Sequence, residues 1–268
     1  MHDDLAKSKL LAVYVTIACI MLMLPIAIVV ALAFGDQGYL QFPPPAYSLH
    51  WFRAFFGDPR WQDAIYNSVI IAAVACVLST AFGFLAAYAF VRSSVKAKKL
   101  LLSLMLLPII VPSVITAIAL YFLSGQLGLL GNRVWIGVCH SVIALPIVLL
   151  ILLPSLNGID INLERAALSL GGGRMMVFRR IVIPLAFPGI LSAMLFAFLA
   201  SFDELLIALF LTGIRIQTLP VRIWNSLLLQ VEPVIAAVSV FLIGVTALVL
   251  VFDTALRRLR RSGSPSTT

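Results

Sequence analysis

Six stretches of roughly 20 or more residues run along this chain with hardly a charge inside them, and each is long enough to cross a hydrocarbon layer. They fall at about 10–34, 67–91, 100–123, 134–153, 185–211 and 234–256. A backbone inside lipid must pair its own N–H and C=O groups, which leaves helices or closed barrels. The runs are continuously apolar and do not alternate, so helices are predicted. The chain reads as an all-α membrane protein with six transmembrane helices in one domain, 1–268, with a long polar loop at 154–184. Composition agrees: 62% of residues are hydrophobic and 11% charged, where a soluble domain has about a quarter charged.

Charge placement sets the topology. The net charge of +8 would suggest nucleic acid in a soluble protein. Here the cations sit at the ends of apolar runs, which points to the membrane and excludes nucleic acid. Lys7 and Lys9, Arg92 with Lys96, Lys98 and Lys99, then Arg165, Arg174, Arg179 and Arg180, and finally Arg257, Arg258, Arg260 and Arg261 share one side. Only Arg53, Arg60, Arg133, Arg215 and Arg222 fall on the other. Basic loops stay in the cytosol, so both termini are expected there. The C-terminal basic cluster also suits anionic lipid head groups. Cys19, Cys76 and Cys139 lie inside apolar runs without metal-ligand spacing, so no metal site and no disulfide are expected.

The first outer loop carries SLHWFRAFF, with Ser48 as a candidate helix cap and Leu49, Phe52, Phe55 and Phe56 on one face. A short helix lying on the bilayer surface is predicted. Pro108 and Pro112 in the third run are consistent with packing geometry or with a hinge. His140 in the fourth reads as a hydrogen-bonded packing residue.

The polar loop before the fifth run has its own pattern. Leu163, Ala166, Ala167 and Leu170 recur as one stripe of a short helix. Asp160 or Asn162 can cap its start, and Gly171 follows its last apolar position. A second short helix is predicted from Arg174 to Ile181, ended by Pro184, with Pro188-Gly189 opening the fifth span. Two short helices joined at a glycine elbow form either a knob that docks on a partner or a loop packed on its own bundle. The residues leave both open.

This loop resembles the EAA loop of binding-protein-dependent ABC importer permeases. That pattern is Glu-Ala-Ala, three residues, Gly, nine residues, Ile-x-Leu-Pro. The chain has Arg165-Ala166-Ala167, Gly171, then Ile181-Val182-Ile183-Pro184 at the same spacing. Arg165 stands in place of the usual glutamate and Ile183 in place of leucine. The resemblance implies a type I ABC importer permease in a bacterial inner membrane, itself not an enzyme. Glu164, Arg165, Ala166, Ala167, Leu170 and Gly171 would couple to a separate homodimeric ATPase. ATP and Mg would reside on that ATPase, since Gly171-Gly172-Gly173 runs into Arg174 and forms no phosphate loop. A second permease subunit and a periplasmic solute-binding protein complete the implied assembly.

The fifth run carries Asp203-Glu204. A carboxylate at the centre of a span costs about 2.5–3.5 kcal/mol on insertion scales, so such residues mark a cavity or pathway. Neighbours on a helix point about 100° apart, so one acid can line a path while the other makes a structural bond. Ser201-Phe202-Asp203-Glu204 and Thr218-Leu219-Pro220 through Trp224 are similar to the corresponding region of spermidine/putrescine-type permeases. That implies a polyamine or similar organic cation as cargo, with Asp203, Glu204, Phe202 and Trp224 along its path. Opines, γ-aminobutyrate-like amines and other amino-acid-like solutes are the alternative. An ion-coupled secondary transporter would be expected to show two matching halves, and none is evident.

Overall fold

The computed structural model describes residues 2–93, 96–213, 216–229 and 232–262. Arg215 and the tail after Ser262 lie outside the described residues. In chain order the helices are α1 (His2–Ala33), α2 (His50–Gly57), α3 (Pro59–Arg92), α4 (Lys98–Ile110), α5 (Ser113–Gln126), α6 (Arg133–Asn157), α7 (Ile161–Ser169) and α8 (Arg174–Val177). A wide π turn (Phe178–Val182) follows, then α9 (Ile183–Phe202), α10 (Leu206–Leu211), α11 (Leu219–Leu229) and α12 (Val234–Ser262).

Five helical stretches are long and apolar enough to cross a membrane: Leu11–Ala33, Pro59–Arg92, Arg133–Asn157, Arg174–Phe202 and Val234–Ala255. The third apolar run differs from a straight span. It is the pair α4–α5, bent by 98°. Val111 and Pro112 are extended at the break, with ψ of 130° and 128°. Proline pushes its predecessor out of the helical region, so the apolar run continues while the helix does not.

The fifth run departs at both ends. Helical structure begins at Arg174 and passes through Pro184 and Pro188, and it stops at Phe202 rather than near 211. Proline in a helix loses the bond to the fourth residue back and crowds that carbonyl. Here that carbonyl belongs to Arg180, inside the wide turn, where the Ile183 N–H reaches back to Phe178 O. The widened turn accommodates Pro184 without ending the rod.

The chain forms two compact units, residues 1–62 with 223–245 and residues 63–222 with 246–268. In the first, the Ser48 hydroxyl accepts the His50 N–H at 2.8 Å at the start of α2. Phe55 is fully buried, its ring centroid 5.7 Å from Trp61 and 5.5 Å from Phe241. Leu49 and Phe56 stay half exposed, as suits an interfacial helix. None of residues 11–32 of α1 is buried.

The second unit is built on α6 against α9. Val148, Leu149, Leu152 and Leu156 meet Ala186, Ala193 and Ala197, all buried. The alanines let the two backbones approach, which is how helices associate where lipid is as apolar as leucine. Gly137 serves the same end on α6: a Cβ there would lie 2.6 Å from the Val74 Cβ of α3. His140 is buried with its Nδ1 2.8 Å from Ser201 Oγ and 3.2 Å from the Ser201 carbonyl, so it is a hydrogen-bonded packing residue.

Candidate functional site

Two places in the second unit gather the chemistry: the short helix α7 and the break after α9. α7 starts where Asp160 accepts the Asn162 N–H at 2.9 Å. It closes at Gly171, whose φ of +86° is the left-handed conformation that favours glycine. A Cβ at Gly171 would touch nothing within 4 Å, so the requirement there is one of backbone conformation. The Gly172 N–H bonds Ala167 O at 3.0 Å and completes the cap. Gly173 is extended, and α8 turns away from it at Arg174. The elbow is therefore present.

Arg165, Ala166, Leu170 and Gly171 are exposed and Ala167 is half-buried. Leu170 is 89% exposed, far beyond what a leucine facing its own protein would be. Leu163, Met175 and Met176 extend this apolar surface. Glu164 is different. It is 7% exposed, and its carboxylate receives Arg92 Nε at 2.7 Å and the Tyr88 hydroxyl at 3.0 Å. It faces its own bundle, not the surface that the other loop residues form. Arg92 and Tyr88 carried no mark in the sequence beyond a basic residue and an aromatic near a span end. Beside this contact lies a cavity of about 450 Å³, lined by Tyr88, Arg92, Leu168, Arg174, Met175 and Phe178 among others.

At the other end of the rod, α9 stops at Phe202 and Asp203 leaves the helical conformation. Glu204 Oε1 accepts the N–H groups of Leu206 at 2.9 Å and Ile207 at 3.1 Å. It satisfies donors that the first turn of α10 would otherwise leave unpaired. Asp203 is exposed and lines a cavity of about 380 Å³ with Ile147, Phe196, Leu199 and Ala200, where Glu204 also contributes. Phe202 lies in the core. It is 4% exposed and stacks on Phe198, with ring centroids 5.5 Å apart and planes at 17°, so the structure removes it from the cavity wall. Trp224 sits on α11 in the other unit, 41% exposed.

The Thr218-Leu219-Pro220 segment is fixed by polar contacts on the starts of α3 and α6. The Leu219 N–H donates to Ser68 Oγ at 2.7 Å. Asn67 donates to Gln217 O at 3.0 Å while accepting from Arg133 Nε at 2.7 Å.

Residues 79–262 match the family described as binding-protein-dependent transport system inner membrane component. The spermidine/putrescine transport system permease protein PotC of Haemophilus influenzae is 27% identical over 237 residues, covering 88% of this chain and 92% of that protein. The molybdenum transport system permease protein ModB of Escherichia coli K12 is 33% identical over 160 residues, covering 55% and 69%. Among solved structures, a bacterial ABC transporter that imports the acidic polysaccharide alginate superposes with a TM-score of 0.75 at 16% identity. It covers 96% of this chain and 98% of that one, a likeness of fold.

Proposed function

The chain belongs to the family of binding-protein-dependent transport system inner membrane components, which makes it the membrane permease of an ABC importer, and on that premise we propose that its cargo is a small polycation of the spermidine or putrescine type. Asp203 carries this reading. Its carboxylate borders a cavity at the end of a span, while the adjacent carboxylate is committed to a helix cap. A fixed negative charge on the wall of a cavity attracts a cation and repels an anion. The relative named for spermidine and putrescine aligns over most of both chains and supports the same cargo.

In this reading α7 docks on a separate ATP-hydrolysing subunit through Leu163, Ala166, Leu170 and the Gly171 elbow. ATP and Mg belong to that subunit. A second permease, a dimeric ATPase and a periplasmic solute-binding protein complete the importer, and both termini of this chain face the cytosol.

The test is uptake by the assembled importer in proteoliposomes. Asp203→Asn should slow spermidine uptake by about tenfold relative to its effect on a zwitterion such as γ-aminobutyrate. Tenfold corresponds to about 1.4 kcal/mol, close to the lower end of what a hydrogen bond to a charged group contributes. Equal slowing of both solutes would sink the polycation assignment.

A further inference from the structure

Arg92 ends α3, and its guanidinium grips the loop twice. Nε donates to Glu164 Oε1 at 2.7 Å and Nη2 donates to the Ile159 carbonyl at 2.9 Å. Tyr88, one turn earlier on α3, donates its hydroxyl to Glu164 Oε2 at 3.0 Å. The Arg92 and Glu164 side chains are 13% and 9% exposed. A buried ion pair holds only where geometry is good and its remaining polar atoms are met. Both carboxylate oxygens are occupied here, and two guanidinium nitrogens have acceptors.

The two guanidinium bonds go to groups on either side of the α7 cap, one to the backbone ahead of Asp160 and one to a side chain on the helix. A single contact would leave α7 free to pivot. Two bonds from one planar fork fix its position and its rotation. Glu164 lies about 100° around the helix from both Leu163 and Arg165. Pinning Glu164 inward therefore holds the apolar stripe of Leu163, Ala166 and Leu170 off to one side, free of α3.

We propose that Arg92 and Glu164 form a mechanical tie through which displacement of α7 is delivered to α3 as well as to α9. The proposal rests on the reading of α7 as the docking helix for the ATPase. The loop continues covalently into the rod Arg174–Phe202, so α9 receives any movement directly. Without the tie, α3 would receive it only through the single Tyr88 hydrogen bond and side-chain packing. Arg92 touches neither the docking surface nor the Asp203 cavity, and acts as a positioning residue. It also accounts for the acid at 164: the carboxylate beside Arg165 serves the chain's own bundle and leaves Ile161–Ser169 without an exposed carboxylate.

The experiment uses the full importer in nanodiscs, in a cysteine-free background, with spin labels at Ser93 and Ser169, both exposed and outside the tie and the apolar stripe. The distance between them is read without nucleotide and after trapping with ATP and vanadate. The native pair should show one distance in both states. Arg92→Gln should let the two labels separate on trapping, with spermidine uptake lost and ATP hydrolysis retained. Arg92→Lys keeps the charge but not the fork and should fall between. A native distance that changes as much as in Arg92→Gln, or an unchanged ratio of uptake to ATP hydrolysed in that variant, overturns the tie. If the native chain does not assemble with the ATPase at all, the docking reading falls and the tie with it.

Discussion

At Gly171 the backbone takes φ +86° with open space around the missing side chain. A β-branched residue there is opposed by its own backbone, at about 1–2 kcal/mol. Gly171→Val should therefore loosen the end of α7 while the chain still assembles. We expect ATP hydrolysis without matching uptake, measured in the same vesicles, and near-native coupling for Gly171→Asn, which tolerates this conformation. Normal coupling in the valine variant would remove the elbow from the mechanism. The need for glycine was legible in the sequence, because it follows the last apolar position of a short periodic segment. The direction of Glu164 was not. One short amphipathic helix shows which residues share a face, but not which flank its own protein covers, and the covering residues Arg92 and Tyr88 lie over 70 positions earlier. Asp203 and Glu204 were equally ambiguous, because a carboxylate on a cavity and one capping a helix look alike until the helix end is known.

At the scale of elements, the spans were legible because a run of apolar residues has one stable solution in lipid. The interruptions were not. Pro112 breaks its helix by 98°, while Pro184 and Pro188 are absorbed. For Pro184 the room comes from the wide turn at Phe178–Val182, a backbone feature with no composition of its own. Helix contacts depend on small residues in the same hidden way. Gly137→Leu would set its side chain into Val74 and the Ile71 carbonyl, and overpacking of this kind costs about 1–3 kcal/mol. Its signature would be a lower unfolding temperature in detergent, with a smaller loss for Gly137→Ala. Thermal stability equal to native in the leucine variant would show that α3 and α6 separate without cost.

For the whole molecule, the uneven distribution of lysine and arginine predicts that both ends face the cytosol. Reporter domains that mature only in the cytosol, fused after Thr268 or before Met1, should both be active in intact cells. An inactive fusion at either end would overturn the six-crossing topology. The rod from Arg174 to Phe202 has 29 residues, about 43 Å at helical rise, and it joins the exposed end of the loop to Asp203. Two ligands that act on one stiff body are linked by reciprocity. On the proposed docking and cargo sites, the factor by which ATPase engagement changes cargo affinity is the factor by which cargo changes the affinity of the ATPase for the loop.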